Sequence, residues 1–215
     1  MDSPSPPGHQ DSSSDEGGIE VLRMETRNLS RFISRRDWHN AVELCKRNPR
    51  LLSQGMGTWK DTALHVAINE NRVDVVEKLI VIIESTRTKQ ALIARNNKGE
   101  TPLHCAAARG SVQMCELILR AGDNMGEDLL GIPNKWDENP IFVAVVHNRK
   151  PAFIYLYDAA CEKPEDYLVI HRGTDGDADR DADADADRDT VLHSAIRRGH
   201  VGERHYPFTS LFSFP

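Results

Sequence analysis

A ten-residue pattern recurs along this chain, and that recurrence limits the fold more than any other feature. "TPLHCAAARG", which starts at Thr101, returns as "TALHVAINEN" from Thr62, "NPIFVAVVHN" from Asn139 and "TVLHSAIRRG" from Thr190. The third letter is Leu64, Leu103, Ile141 or Leu192, the sixth Ala67, Ala106, Ala144 or Ala195, and the fourth His65, His104, Phe142 or His193. Each copy reads as a short helix with its own punctuation. Thr101 offers an oxygen to the free amides of the first turn, and Pro102 stands where no donor is needed. The tenth letter, Asn71, Gly110, Asn148 or Gly199, tolerates the positive φ that ends a helix. About two turns of helix do not hold together alone in water. The alanines bury little area but let other helices come close, so such helices make sense only in a stack.

The first three copies run on into a second apolar segment at helical spacing: Val75, Val76, Leu79 and Ile80, then Met114, Cys115, Ile118 and Leu119, then Ala152, Phe153, Leu156 and Tyr157. A helix, a tight turn and an antiparallel helix are thus repeated. On these residues the chain resembles the ankyrin-repeat family, whose T-P-L-H-x-A signature stands here as "TPLHCA", with "TALHVA" and "TVLHSA" one letter away and "NPIFVA" three. The resemblance implies an all-α solenoid of stacked antiparallel helix pairs with long inter-repeat loops, and protein binding without enzymatic activity. It also implies that the repeated imidazoles bond neighbouring turns and hold adjacent units in register.

The copies are spaced unevenly, at 101 − 62 = 39, 139 − 101 = 38 and 190 − 139 = 51 residues, against about 33 for an ordinary unit. The extra residues fall after the second helices and are expected to lengthen loops. Upstream, "NLSRFISRRDWHNAVELCKRNPRLL" keeps the apolar spacing without the signature, as a terminal unit that shields the core should. The expected organisation is a disordered stretch over 1–20, a degenerate capping helix pair over 21–54, repeats over 55–200 with an acidic disordered insertion over 171–189, and a disordered tail over 201–215. With Pro207 where an interior helix residue would fall, the tail reads as foreign to the fold, the mark of a truncated or spliced form. The capping segment, followed by "DTALHVA" and long loops, is similar to plant ankyrin-repeat proteins of the membrane-anchored stress- and defence-signalling group. That likeness implies a cytoplasmic protein, at the cytoplasmic face of the plasma membrane in a longer form; the alternative is the regulatory segment of such a membrane protein.

Chemistry other than binding finds little support. Cys45, Cys105, Cys115 and Cys161 have no metal-ligand or redox spacing, and Cys105 and Cys115 fall on packing positions of the repeat. No apolar run is long enough to cross a bilayer, and the start carries no signal peptide. No nucleophile is coupled to the histidines by spacing, no phosphate loop follows a strand, and no catalytic residue, cofactor or metal site is expected. The run "DGDADRDADADADRD" contributes 3 − 8 = −5 over 171–190 to a chain total of −6. Its alternating Asp raises a divalent-metal reading, but Arg180 and Ala186 stand where a calcium loop needs Gly and Glu, so it reads as a solvated insertion. Arg31, Arg35, Arg36, Lys46, Arg47 and Arg50 read as a solvated face, with acidic lipid or nucleic acid as the alternative.

Recognition of a protein partner remains, and a stack places it on the hairpin tips and the open side of the first helices. Trp59 and Trp136 each lie three residues before a repeat start, with Lys98 in that place between them. They serve either as partner anchors or as packing against the preceding loop. Lys60, Asp61, Lys98, Glu100, Asp137 and Glu138 form the expected polar rim, and Asn69, Glu70, Arg109 and His147 the helix face.

Overall fold

The computed structural model describes residues 13–124 and 128–161, and within them the repeat pattern becomes pairs of helices. The fourth copy from Thr190, with Leu192, His193, Ala195 and Gly199, the acidic run over 171–189 and the tail over 201–215 lie outside the described residues. First helices α3 (Ala63–Asn69), α6 (Pro102–Arg109) and α8 (Pro140–Val146) alternate with second helices α4 (Val73–Thr86), α7 (Val112–Asn124) and α9 (Lys150–Cys161). A single turn, α5 (Gln90–Ile93), lies between α4 and α6. Ahead of them stand α1 (Ser13–Ser34), α2 (Trp38–Arg47) and a 3-10 turn, Pro49–Ser53.

Each first helix stops where the sequence provides a residue for positive φ. Asn71, Gly110 and Asn148 have φ of 58°, 79° and 56°. The chain then folds back onto the helix it has left: the amides of Arg72, Ser111 and Arg149 donate to the carbonyls of Ala67, Ala106 and Ala144 at 2.9, 3.2 and 2.8 Å. Paired with the bonds from Asn71 to Ile68, Gly110 to Ala107 and Asn148 to Val145, these are Schellman closures, which satisfy the last carbonyls and reverse the chain in minimal length.

Reversal puts the helices in two rows. In one, α3 packs on α6 and α6 on α8; in the other, α4 packs on α7 and α7 on α9. The capping pair continues both rows, α1 against α3 and α2 against α4. Ala67, Ala106 and Ala144 have no exposed surface, as small side chains on closely packed first helices should. Trp38 anchors the cap: it is buried and its indole N–H donates to Glu70 Oε2 at 3.1 Å.

The structure differs from the sequence reading in two places. The first helix begins at Ser13, inside the stretch expected to be disordered. Leu29 and Ile33 fix its downstream half in the core, and extending an anchored helix adds one hydrogen bond per ordered residue without a new nucleus. Second, the segments taken as lengthened loops carry core. Ala91 and Leu92, and Leu129 and Leu130, are all buried, each pair nine or ten residues before a repeat start, as Leu51 and Leu52 at the end of the capping segment are ten or eleven before one. Burying two aliphatic side chains holds each connection down on the stack, so only the residues around these pairs are loop.

Candidate partner-binding surface

The tips are built from a repeated asparagine. Asn96 Oδ1 accepts from the amides of Lys98 and Glu100 at 2.9 and 3.1 Å, and Asn134 Oδ1 from those of Trp136 and Glu138 at 2.9 and 3.0 Å. Asparagine suits this because its short amide mimics a turn of backbone. Backbone bonds close the turns, from Asn96 to the Glu100 carbonyl at 3.0 Å and from Asn134 to that of Glu138 at 2.9 Å. The first tip is one residue longer, closed by Met56 to the Asp61 carbonyl at 2.8 Å. Two residues before each repeat start the chain takes positive φ, at Lys60 (55°), Gly99 (75°) and Asp137 (60°).

Neighbouring tips are bonded to one another. The amide of Asn97 donates to the Trp59 carbonyl at 2.7 Å, and that of Lys135 to the Lys98 carbonyl at 3.1 Å. Gly99 shows how close the approach is, since a Cβ there would lie 2.8 Å from the Lys135 nitrogen. Below the tips, His65 Nε2 meets the Glu100 carbonyl at 2.9 Å and His104 Nε2 meets that of Glu138 at 3.0 Å. A carbonyl only accepts, so Nε2 carries the proton, and Nδ1 accepts from Thr62 Oγ1 or Thr101 Oγ1, each at 2.8 Å. Burial disfavours the imidazolium: it lowers the His65 pKa and holds His104 down to about 4, partly offset by the bond to the next tip. The imidazoles are thus neutral linkers that tie one unit to the next. In the third described unit Phe142 takes this place, buried, with its amide on Asn139 Oδ1 at 2.9 Å.

The expected contact residues divide into two groups. Trp59 and Trp136 stand clear of the connections, 62% and 53% exposed, and Lys60, Lys98, Asn69, Arg109 and His147 are exposed as well. Glu70, Asp61, Glu100 and Glu138 are half-buried and engaged internally. Glu70 accepts from Trp38 and faces Arg36 at 3.9 Å; Asp61 and Glu100 each accept from the Asn96 amide at 3.1 Å; Glu138 accepts from the Asn134 amide at 2.9 Å. Asp137 is half-buried, in the left-handed position of its turn. Asn96 and Asn134 were not singled out from the sequence, although both lie five residues before a repeat start and both precede or flank a lysine, in "NNKGET" and "NKWDEN".

Other chemistry is poorly supplied. Burial pushes the thiols of Cys45 and Cys115 up to about 12 and that of Cys105 higher still, which suits packing and not nucleophilic attack. Among the described residues no group of His, Cys, Asp and Glu is arranged to hold a metal, and no helix is long and apolar enough to cross a membrane. An open cleft of about 370 Å³ lies between α2 and α4, but its wall charges are largely paired, Lys46 with Glu43 at 2.6 Å and Arg72 with Asp74 at 2.9 Å.

Known proteins share this arrangement. The chain is 31% identical over 115 residues to ankyrin repeat domain-containing protein 49 of Drosophila melanogaster, covering 53% of this chain and 47% of that one. It is 31% identical over 65 residues to an ankyrin repeat-containing protein of Arabidopsis thaliana, covering 30% of this chain and 12% of that one. The chain therefore spans less than half the length of these relatives. A chain in the solved structure of the yeast ribosomal protein Rps3 with its chaperone Yar1 superposes with a TM-score of 0.51 at 21% identity, over 74% of this chain and 100% of that one. The family model for ankyrin repeats, an interaction module, matches residues 36–129 and 87–167. Capped helix pairs, alanine seams and bonded tips occupy those same residues, and the chain belongs to the ankyrin-repeat family.

Proposed function

We propose that this protein is a non-enzymatic scaffold that binds a protein partner along its hairpin tips and the open side of its first helices. The observation that carries the reading is the pair of exposed tryptophans, Trp59 and Trp136, on tips joined by backbone hydrogen bonds. Large apolar side chains on a backbone already fixed by such bonds leave only their own rotamers to be ordered when a partner covers them. They stand two units apart, so about 20 Å separates them at the usual spacing of packed helices. Lys98 lies midway, and Lys60, Asn69, Arg109 and His147 add exposed polar contacts. The internally bonded acids, Asp61, Glu70, Glu100 and Glu138, keep the surface in shape, and Asp137 belongs to the same rim.

The setting we assign is the plant cytosol, in stress or defence signalling, with a longer form held at the plasma membrane. The support is the capping segment with its long connections and the similarity to the Arabidopsis protein. Trp59→Ala with Trp136→Ala tests the surface. Because both side chains point into solvent, the melting temperature should be unchanged while affinity for a partner captured from plant cytosol falls at least 100-fold. Equal affinity of the double variant and the parent in a direct titration would remove the anchors.

A further inference from the structure

The charges on the tips are sorted by direction. Each tip carries a lysine, Lys60, Lys98 or Lys135, and all three are exposed with no ion-pair partner among the described residues. The acids near them, Asp61, Glu100 and Glu138, are half-buried, with their carboxylates held by the side-chain amides of Asn96 and Asn134. What the row of tips offers to solvent is therefore basic and aromatic. At the third position before each repeat start stand Trp59, Lys98 and Trp136 in order, so a cation lies between two indoles, with about 10 Å to each side. Lys98 is firmly placed: its amide donates to Asn96 Oδ1 at 2.9 Å and its carbonyl accepts from the Lys135 amide at 3.1 Å. The second bond brings the two lysines onto adjoining turns, and the Lys135 side chain runs so close to Gly99 that a Cβ there would lie 3.0 Å from its Cγ. Like charges on adjoining turns repel, and a shared anion relieves them.

We propose, on the reading that the tips bind a partner, that this partner is a protein segment in which an aspartate or glutamate stands between two large apolar side chains, the carboxylate on Lys98 and Lys135 and the apolar groups on Trp59 and Trp136. A spacing of about 10 Å to each side corresponds to about three residues of extended chain or about seven of helix. An indole face also attracts cations, but the lysines beside these two repel them. The lysines do not make the tips a polyanion site. With Asp61, Glu100, Asp137 and Glu138 counted, three lysines meet four acids and the tips sum to −1, so a strand with a phosphate at every nucleotide would face carboxylates as well as ammonium groups. A single carboxylate set at the lysine pair avoids that repulsion. The chain's own acidic run, "DGDADRDADADADRD", offers carboxylates but nothing apolar larger than alanine, and would leave both indoles uncovered.

Selection of random peptides of about 16 residues, displayed on phage, against the full chain, followed by titration of the enriched peptides, tests this. Enriched sequences should share an acid with an apolar residue about three or about seven positions to each side. Lys98→Glu should weaken their binding about tenfold or more, since like charges then face each other across the contact. The fold should be untouched, because the tip bonds use the backbone of Lys98 and not its side chain. Replacing the peptide's acid by lysine should restore affinity for the Lys98→Glu variant, a rescue that general loss of structure would not give. Enriched peptides without the acid, or equal binding to Lys98→Glu and the parent, overturn the proposal. If such binding still falls with Trp59→Ala and Trp136→Ala, the tips remain the surface and only the partner's chemistry is wrong. Displacement of the peptide by equimolar polyglutamate or polyuridylate overturns the proposal too, since acid alone or nucleic acid would then suffice.

Discussion

His65 and His104 each stand with one ring nitrogen on a threonine and the other on the next unit's carbonyl, so their protonation state is part of the architecture. Burial lowers both pKa values, which means that as pH falls the unfolded chain takes up protons first. Stability should be complete above pH 6.5, decline between 6.5 and about 4, and lose nothing further to His104 below that. For His104 alone the loss is on the order of 3 kcal/mol. A melting series across pH would show it, and His104→Ala, less stable near neutrality, should show a shallower acid decline. Gly99 and Gly57 offer a second residue-level contrast. Both have positive φ, but a Cβ at Gly99 would strike the Lys135 nitrogen whereas one at Gly57 meets nothing within 4 Å. Gly57→Ala should cost about 1 kcal/mol of unfolding free energy and Gly99→Ala clearly more, because two bonded tips would have to part. The repeat letters revealed the histidines and the positive-φ residues, since each is a fixed chemical need at a fixed place. They did not reveal that Glu70 would serve Trp38, because a long-range partner leaves no trace in local spacing.

Every first helix here has eight residues or fewer, α3 and α8 only seven, well short of what persists alone in water. A peptide covering 101–124, one complete pair, should therefore show little helix by circular dichroism and gain it only when neighbouring units are attached. The seam alanines suggest a complementary change. Ala106 is fully buried, and Ala106→Leu forces side chains into closed space, with an expected loss of about 1–3 kcal/mol read from chemical denaturation. Elements with strong periodicity were legible from sequence, α3 and α6 through their own caps and α4 and α7 through apolar spacing alone. The buried pairs Ala91–Leu92 and Leu129–Leu130 were not, because two aliphatic letters among polar ones have no period; only their fixed distance from the next repeat marks them. The early start of α1 escaped notice for a similar reason, as the upstream residues lack an apolar stripe and are helical because the downstream half is anchored.

At the scale of the molecule, the three tryptophans report separately on scaffold and surface. Trp38 is 4% exposed, while Trp59 and Trp136 are among the most exposed large hydrophobic side chains. Acrylamide should quench two of the three emissions in the native state, and a partner that covers the tips should protect those two while leaving Trp38 unaffected. The tips were legible in sequence as places, through the offset of Trp59, Lys98 and Trp136 from the repeat starts, while the acids expected on a polar rim are engaged by the turns. The bonds between tips have a further consequence. They join a backbone amide to a backbone carbonyl, so they are indifferent to which side chains occupy positions 59, 98 and 136. On the surface proposed above, new specificities can accumulate by single substitutions while the distances that any visitor must match stay fixed, which allows affinity to drift between partners without the structure having to be reinvented.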